Sequence, residues 1–460
     1  MANWLDRGVT YVSGSAPVGV YAADGTFNVV EADPSVFTGL YHPCGAYNVT
    51  VSTQTNPPVY APNGSLYLPS NTPGALPSGF GAASLYHDYT TSKYYGAPAP
   101  SITRASGKTV FDTAGLLSTV ASGALALSDR GLSIEESRTN LCLRSEEFTH
   151  ASWTGGANWF TADTAISPDG TMDADTLTTS GLVNQTIYQT IAVTADTVYT
   201  YSEFVKLGTM LSSEFKIAFY DASNAAFIAT DVAPSVTLND TQWQRTIHTI
   251  TTPAGCTSLR VYCFRSSAAV TASKTAFVWG AQLELGAFAT SYMPTTSGAV
   301  TRAADVVTIP SPTSYVSLAQ GGAFVEWTED VGPVGLGRRL FVFGPDEANC
   351  IRVFIETNNR VVVQVRVGNV SQASLSPPNS VVAGQTYKIA ARWGLNDAAA
   401  YMSPSLGADP TPDAVVAVPA GTPVFALGST GGNGFLNGPL RRLALWQTGP
   451  TNAELQALVA

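Results

Sequence analysis

Between residues 139 and 300 the side chains fit for recognition chemistry are flat rings and amides. They are Trp153, Trp159, Phe160, Tyr188, Tyr201 and Tyr220, with Asn184, Gln185 and Gln189 close by in sequence. An aromatic face takes the apolar side of a sugar ring and a few amides take its hydroxyls, so this set is the candidate carbohydrate-binding group. Trp153 and Trp159 bracket a Gly-Gly loop, TGGAN, where a ring is less tied to a core. The plainer alternative is packing: Trp153 against the first strand, with Trp159 and Tyr188 open to either role.

Hydrolysis finds less support in the residues. A glycosidase needs two carboxylates facing one another across the bond. The neighbouring pairs Glu135/Glu136 and Glu146/Glu147 would point to opposite faces of a strand. The sequence has no GxSxG, HExxH or phosphate-binding loop, and His42, His87, His150 and His248 stand beside no convincing nucleophile. No catalytic residue is assigned and no enzyme activity is expected. The pairs Arg338/Arg339 and Arg441/Arg442 suit an acidic sugar or a neighbouring subunit's carboxylates, with a solvated sheet face as the plainer reading. Five cysteines, Cys44, Cys142, Cys256, Cys263 and Cys350, form no CxxC pair and read as buried free thiols, with a Cys256–Cys263 bond as the lesser alternative.

The elements that must position these groups are strands. Only 12% of the 460 residues are charged while 45% are hydrophobic, which is not the balance of a disordered chain. The length suggests about three domains. A net charge of −10 without a run of Lys or Arg argues against nucleic-acid binding. No stretch reaches the ~20 apolar residues that span a bilayer, so no membrane insertion is expected. The opening MANWLDRGVTYVSG does not read as a secretory signal.

Residues 1–75 repeat a pattern: GVYAADGTFNVV (19–30), GLYHPCGAYNVTV (39–51) and PVYAPNGSLYL (58–68) align Tyr21, Tyr41 and Tyr60, and likewise Gly25, Gly45 and Gly64. Asp-Gly and Asn-Gly suit tight turns, so three β-hairpins forming a docking or stalk module are expected. Residues 76–138, rich in Pro, Gly, Ser and Tyr at their start, read as a linker and extended connector, or an arm wrapped over a partner. The word Thr-Arg-Ala occurs at 103–105 and at 301–303, each time just ahead of a new block. Period-two runs such as TIYQTIAV, TVYTYSEFVK and SLRVYCF over 139–300, and GAFVEWTED, RRLFVFG and CIRVFIETNNRVVVQVRVG over 301–460, mark antiparallel strands. Trp327, Trp393 and Trp446 alternate with apolar neighbours and read as core, and TNAELQALVA is the one convincing helix, capped by Thr451 or Asn452. The fold class is all-β: N-terminal β-hairpin repeats followed by two antiparallel β-sandwich, jelly-roll domains.

Two stretches resemble known families. The words RTNLCLRSEEFTHASWT (138–154), SPDGTMDADTLT (167–178), WQRTIHTITTPAG (243–255) and VWGAQLELGAFATSYMPTTSGAVTRAAD (278–305) resemble the carbohydrate-binding-module-like jelly rolls of phage tail and fibre proteins. QTYKIAARW (385–393) and LNGPLRRLALWQTGPTNAEL (436–455) resemble the laminin-G-like or concanavalin-like sandwiches that often follow them. The resemblance implies a fibre or spike subunit of a virion or gene-transfer-agent-like particle. Such a subunit would be made in the bacterial cytoplasm, displayed on the particle surface as a homotrimer, and would touch host polysaccharide and other particle proteins. A structural head or tail decoration protein is the alternative, and a depolymerase the lesser one. It also implies core positions for Trp243 and Trp279, and no required cofactor. A structural calcium is implied as possible, with Glu146, Glu147 and Glu284 as its oxygen ligands. A second acidic group, Asp169, Asp173 and Asp175, reads equally as a self-capping turn.

Overall fold

Strands dominate this chain because its apolar residues alternate over short runs bounded by turn residues. The computed structural model describes residues 76–460 apart from 97–98, 333–334, 336, 378–379, 404–416 and 431–432, together with short strands nearer the N-terminus. The chain divides into two units, Met1–Ala75 and Leu76–Ala460. In the first, Val18–Tyr21 pairs antiparallel with Phe27–Glu31, and Val59–Tyr60 with Leu66–Tyr67. These are the first and third expected hairpins; the middle one, around Tyr41, lies outside the described residues.

The second unit contains two antiparallel sandwiches, one nested in the other. The jelly roll sets a five-stranded sheet, in the order Phe160–Ala165, Ala174–Thr178, Thr275–Leu285, Val198–Leu207 and Gln244–Thr251, beside a four-stranded sheet. The latter runs Gln185–Ala192, Ser258–Ser266, Ile217–Asp221 and Ala226–Val232. Their inward residues, among them Ile187, Tyr201, Val205, Phe219, Val261 and Leu283, form one core.

The host sandwich is built from both sides of this insertion. Its eight-stranded sheet centres on Gly438–Trp446 beside Gln320–Thr328, and its seven-stranded sheet on Arg338–Asp346 beside Asn349–Ile355. Leu85–Asp88 and Gly131–Ile134 pair with Gly438–Trp446, and Ser101–Thr103 pairs with Val306–Ile309. Residues 76–138 are therefore folded against the two sandwiches and are not the expected linker, connector or partner-wrapping arm. Four of their strands join the host's eight-stranded sheet and one its seven-stranded sheet, while Lys108–Phe111 and Leu117–Val120 form a two-stranded sheet whose Leu117 packs with jelly-roll residues. Strands of three or four residues are too short to display alternation, and Asp88 meets its partner Arg442 across 354 positions of sequence. Trp327 and Trp393 sit in this core, whereas Trp446 is buried on the opposite face of its sheet, under the helix Asn452–Val459. That helix begins with a capping box: the Thr451 hydroxyl accepts from the Glu454 N–H while the Glu454 carboxylate accepts from the Thr451 N–H.

The jelly roll leaves and rejoins its host through two adjacent strands, Arg138–Asn140 and Val300–Arg302, with Arg138 opposite Arg302. Around this neck lies a buried ionic cluster, and it explains the repeated Thr-Arg-Ala word. Arg104 stands 2.8 Å and Lys108 2.7 Å from Asp305, while Lys108 and Arg302 lie 3.0 and 3.4 Å from Glu135. Other donors reach backbone carbonyls: Arg104 donates to Ala121 and Ala124, Lys108 to Ser133, and Arg302 to Glu136, while the Arg302 Nε is buried without a partner. Glu135 also accepts from the Ser291 N–H and hydroxyl, so it bridges connector and jelly roll. Burial is tolerable here because every charge is answered.

Candidate functional site

The four-stranded sheet turns one face to the jelly-roll core and the other outward. Along Gln185–Ala192, residues 185, 187, 189 and 191 are buried, while Thr186, Tyr188, Thr190 and Ala192 face out. Pairing with Ser258–Ser266 slips by one residue between Ile187, opposite Phe264, and Tyr188, opposite Tyr262. Cys263 is the extra residue of this bulge, and the slip places Arg260, Tyr262 and Arg265 all on the outward side. Arg260 lies opposite Thr190 on one flank and Tyr220 on the other, and Tyr220 lies opposite Phe227.

A continuous aromatic surface results. Ring centroids are 4.9 Å apart for Tyr188–Tyr262, 6.1 Å for Tyr262–Phe227 and 4.9 Å for Tyr220–Phe227. Tyr262 forms the buried floor, Tyr188 and Tyr220 are half-buried, and Phe227 is 43% exposed. Arg260 lies over two of these rings, 4.9 Å from Tyr188 and 5.2 Å from Tyr220, and Arg265 lies 4.4 Å over Phe227. The sheet edge is closed by the loop after Trp153: Thr154 and Tyr188 exchange backbone hydrogen bonds of 2.8 and 3.1 Å. Gly155 makes this approach possible, with φ of 86° and a Cβ position that the Thr186 carbonyl oxygen would obstruct.

The sequence-derived sugar set divides on this geometry. Tyr188 and Tyr220 are on the aromatic face, and exposed Asn184 stands at its end, its Oδ1 accepting from Arg265 at 3.2 Å. Trp159 is half-buried against the jelly-roll core, in the short helix Gly156–Trp159. The others are structural. Trp153 is 2% exposed and donates from its indole to the Arg144 carbonyl. Phe160 and Tyr201 are buried in the same core, the Tyr201 hydroxyl donating to Glu203 at 2.7 Å. Gln185 is spent on Ser180 and the Thr178 carbonyl, and Gln189 exchanges hydrogen bonds with the Leu143 backbone. An aromatic or amide residue type does not reveal which side of a sheet it occupies; only register does. Phe227, Arg260, Tyr262 and Arg265 were missed for the same reason, although Arg260 and Tyr262 share parity in SLRVYCFRS.

The proposed calcium ligands are not gathered. Glu284 is buried and accepts from the Thr290 N–H and hydroxyl, Glu147 pairs with Arg144, and Glu146 accepts from the Tyr292 hydroxyl. Among the described residues no group of three His, Cys, Asp or Glu could hold a metal ion. Burial pushes the Glu146 carboxyl up to about 7, against the hydrogen bond from Tyr292, and nearby Asp173 and Asp169 add to the rise. A pocket of about 260 Å³ lies on the five-stranded side, lined by Glu147, Thr149, His150, Ala162, Asp163 and Asp175. It offers carboxylates but no Tyr, Phe or Trp ring for stacking.

The arginine pairs are answered by the chain's own acids. Arg338 is buried against Glu329, Arg339 faces Glu347, and Arg441 and Arg442 meet Glu326, with Asp88 also on Arg442. Cys142, Cys256, Cys263 and Cys350 are free and buried. Trp279 is buried as expected, whereas Trp243 is only half-buried, its indole donating to the Ile166 carbonyl.

No protein-family model matches the chain, and no curated protein is similar to it in sequence. Among solved structures, similarity extends to the CBM40 of the Ruminococcus gnavus IT-sialidase bound to α2,6 sialyllactose, at 16% identity and a TM-score of 0.24, over 31% of this chain and 85% of that one. A SAP-like pentraxin from Limulus polyphemus matches at 14% identity and a TM-score of 0.24, over 31% and 70%. The Trypanosoma rangeli sialidase matches at 15% identity and a TM-score of 0.26, over 33% of this chain and 25% of its own. What those proteins bind is a property of theirs; this chain is an all-β protein of antiparallel sheets, one sandwich nested within another.

Proposed function

We propose that the outer face of the four-stranded sheet binds cell-surface or capsular polysaccharide, stacking sugar rings on Tyr188, Tyr220 and Phe227. The observation that carries this reading is a run of aromatic rings on an open sheet face, where core packing does not require them. The face binds without cleaving. Its nearest acids are engaged: Asp231 by Ser267 and Arg265, and Asp221 by Ser223 and Asn224, which leaves no facing carboxylate pair.

In the same reading the chain is a fibre or spike subunit of a virion or phage-like particle. The N-terminal hairpins dock or trimerise it and the nested sandwiches carry the sugar face outward. This wider role rests on the family resemblance of the strand words, and on the gain that several weak sugar sites acquire when held together.

Glycan-array binding of the full-length chain tests the sugar role. Expected is binding that Tyr188→Ala and Tyr220→Ala each weaken while thermal unfolding stays cooperative. Absence of binding to any bacterial surface glycan would end it. Light scattering tests the assembly: a mass three times the 48.1 kDa chain is expected, and a monomer would refute the trimer.

A further inference from the structure

Resting on the sugar-binding reading, we infer that the face is selective for a carboxylate-bearing sugar, such as a uronic acid unit, and that Arg260 is the residue that reads the carboxylate. Arg260 differs from the other buried and half-buried arginines among the described residues, each of which has an ion pair or a side-chain hydrogen bond. It makes no ion pair or hydrogen bond with any described residue, and its Nε is buried without a partner. The two terminal nitrogens are not buried and have no partner either, so they are open to an incoming group. On a chain of net charge −10, carboxylates are plentiful, yet none among the described residues is paired with this guanidinium.

The surroundings hold Arg260 ready rather than leave it adrift. The Tyr188 and Tyr220 rings lie 4.9 and 5.2 Å from its guanidinium carbon and restrict its sweep. A guanidinium fixed in this way presents a planar fork that matches a carboxylate with two parallel hydrogen bonds. The flanking tyrosine rings would at the same time receive the apolar face of the sugar that carries it. Arg265, at the other end of the patch, is partly neutralised by Asp231 at 3.6 Å and bound to Asn184. It supports the local positive potential without being the free fork. No acid from the other strands of this sheet faces Arg260. Asp221 is tied up at the turn by Ser223 and Asn224, and Asp231 by Ser267 and Arg265.

The experiment compares one hexuronic-acid-containing oligosaccharide with its carboxyl-reduced, neutral counterpart, both titrated calorimetrically into the full-length chain. Expected is an acid form that binds about tenfold to a hundredfold more tightly, the range that a hydrogen-bonded charge supplies, with the preference shrinking as salt rises. Arg260→Gln should abolish the preference, bringing the acid and neutral forms to equal affinity. Arg260→Lys, which keeps the charge and loses the fork, should retain only part of it. Circular dichroism of each variant checks the fold. Equal binding of acid and neutral forms by the unmodified chain, or a preference that survives Arg260→Gln, overturns the inference and leaves the sugar face standing. Failure of both forms to bind overturns the sugar face itself, and this inference with it.

Discussion

At the neck between the jelly roll and its host, Arg104 and Lys108 lie 2.8 and 2.7 Å from Asp305, and Arg302 lies 3.4 Å from Glu135. On the outer face of the four-stranded sheet, Arg260 has no carboxylate partner among the described residues, only tyrosine rings. Both places put guanidinium groups in partly or wholly desolvated surroundings. At the neck the chain has supplied partners from distant positions, so the charge serves the fold. On the sheet face it has supplied aromatic walls and left the polar edge unmet, so the charge is available to something outside. Whether an arginine is structural or receptive is decided by whether the chain supplies its guanidinium any charged or hydrogen-bonding partner, not by its exposure alone.

The sharpest way to break this contrast is Asp305→Ala. It removes the acid shared by Arg104 and Lys108, stranding buried cations, and should cost about 3–5 kcal/mol in urea unfolding of the full chain. A loss below about 1 kcal/mol would mean the neck is not the closed cluster described.

Next in size is acid sensitivity. Burial by itself would raise the Glu135 carboxyl, but Lys108 and Arg302 overcome that and hold it at about 2, below the ordinary 4.5. The folded form therefore favours the ionised group. Its contribution is complete above about pH 4.5 and is lost as pH falls from there towards 2, on the order of 3 kcal/mol in total. Melting temperatures taken across that window should fall, and Glu135→Gln should flatten the fall.

On the receptive side, Tyr188→Ala and Tyr220→Ala should each weaken glycan binding about tenfold, that is by about 1.4 kcal/mol in titration calorimetry. Neither touches the neck, so acid sensitivity should be unchanged.

A third buried charge lies between these cases. Glu203, inside the jelly roll, has no basic partner among the described residues; burial raises its carboxyl well above the ordinary value, and the Tyr201 hydroxyl donates to it. The folded state binds this proton more tightly than the unfolded chain does. Stability is therefore greatest below the ordinary carboxylate range and declines as pH rises above it. Glu203→Gln should lose this alkaline decline, seen as a melting temperature less dependent on pH.

The smallest effect is expected from Arg260→Gln on stability: less than about 1 kcal/mol, the worth of its ring contacts. A larger loss would place Arg260 with the structural arginines.

The fold was legible wherever local chemistry decides it. Asp24-Gly25 and Asn63-Gly64 marked hairpins that exist, and Thr451 with Glu454 marked a capping box that exists. The strand Leu85–Asp88 was illegible because LYHD is defined by its pairing with Gly438–Trp446, far along the chain. The candidate site was half legible. Tyr188 and Tyr220 could be chosen as aromatic, but Trp153, Phe160 and Tyr201 are equally aromatic and face the core. What separates them is sheet register, including a bulge at Cys263 that no period-two reading anticipates.

At the neck, Arg138 and Arg302 stand directly opposite one another in paired strands. A domain whose two ends are neighbours places almost no loop-closure burden on its host, whatever its length or shape. The stretch between these positions is thereby a cassette. Another domain with adjacent ends can be grafted at the same two residues while the surrounding sandwich keeps its own strand pairings.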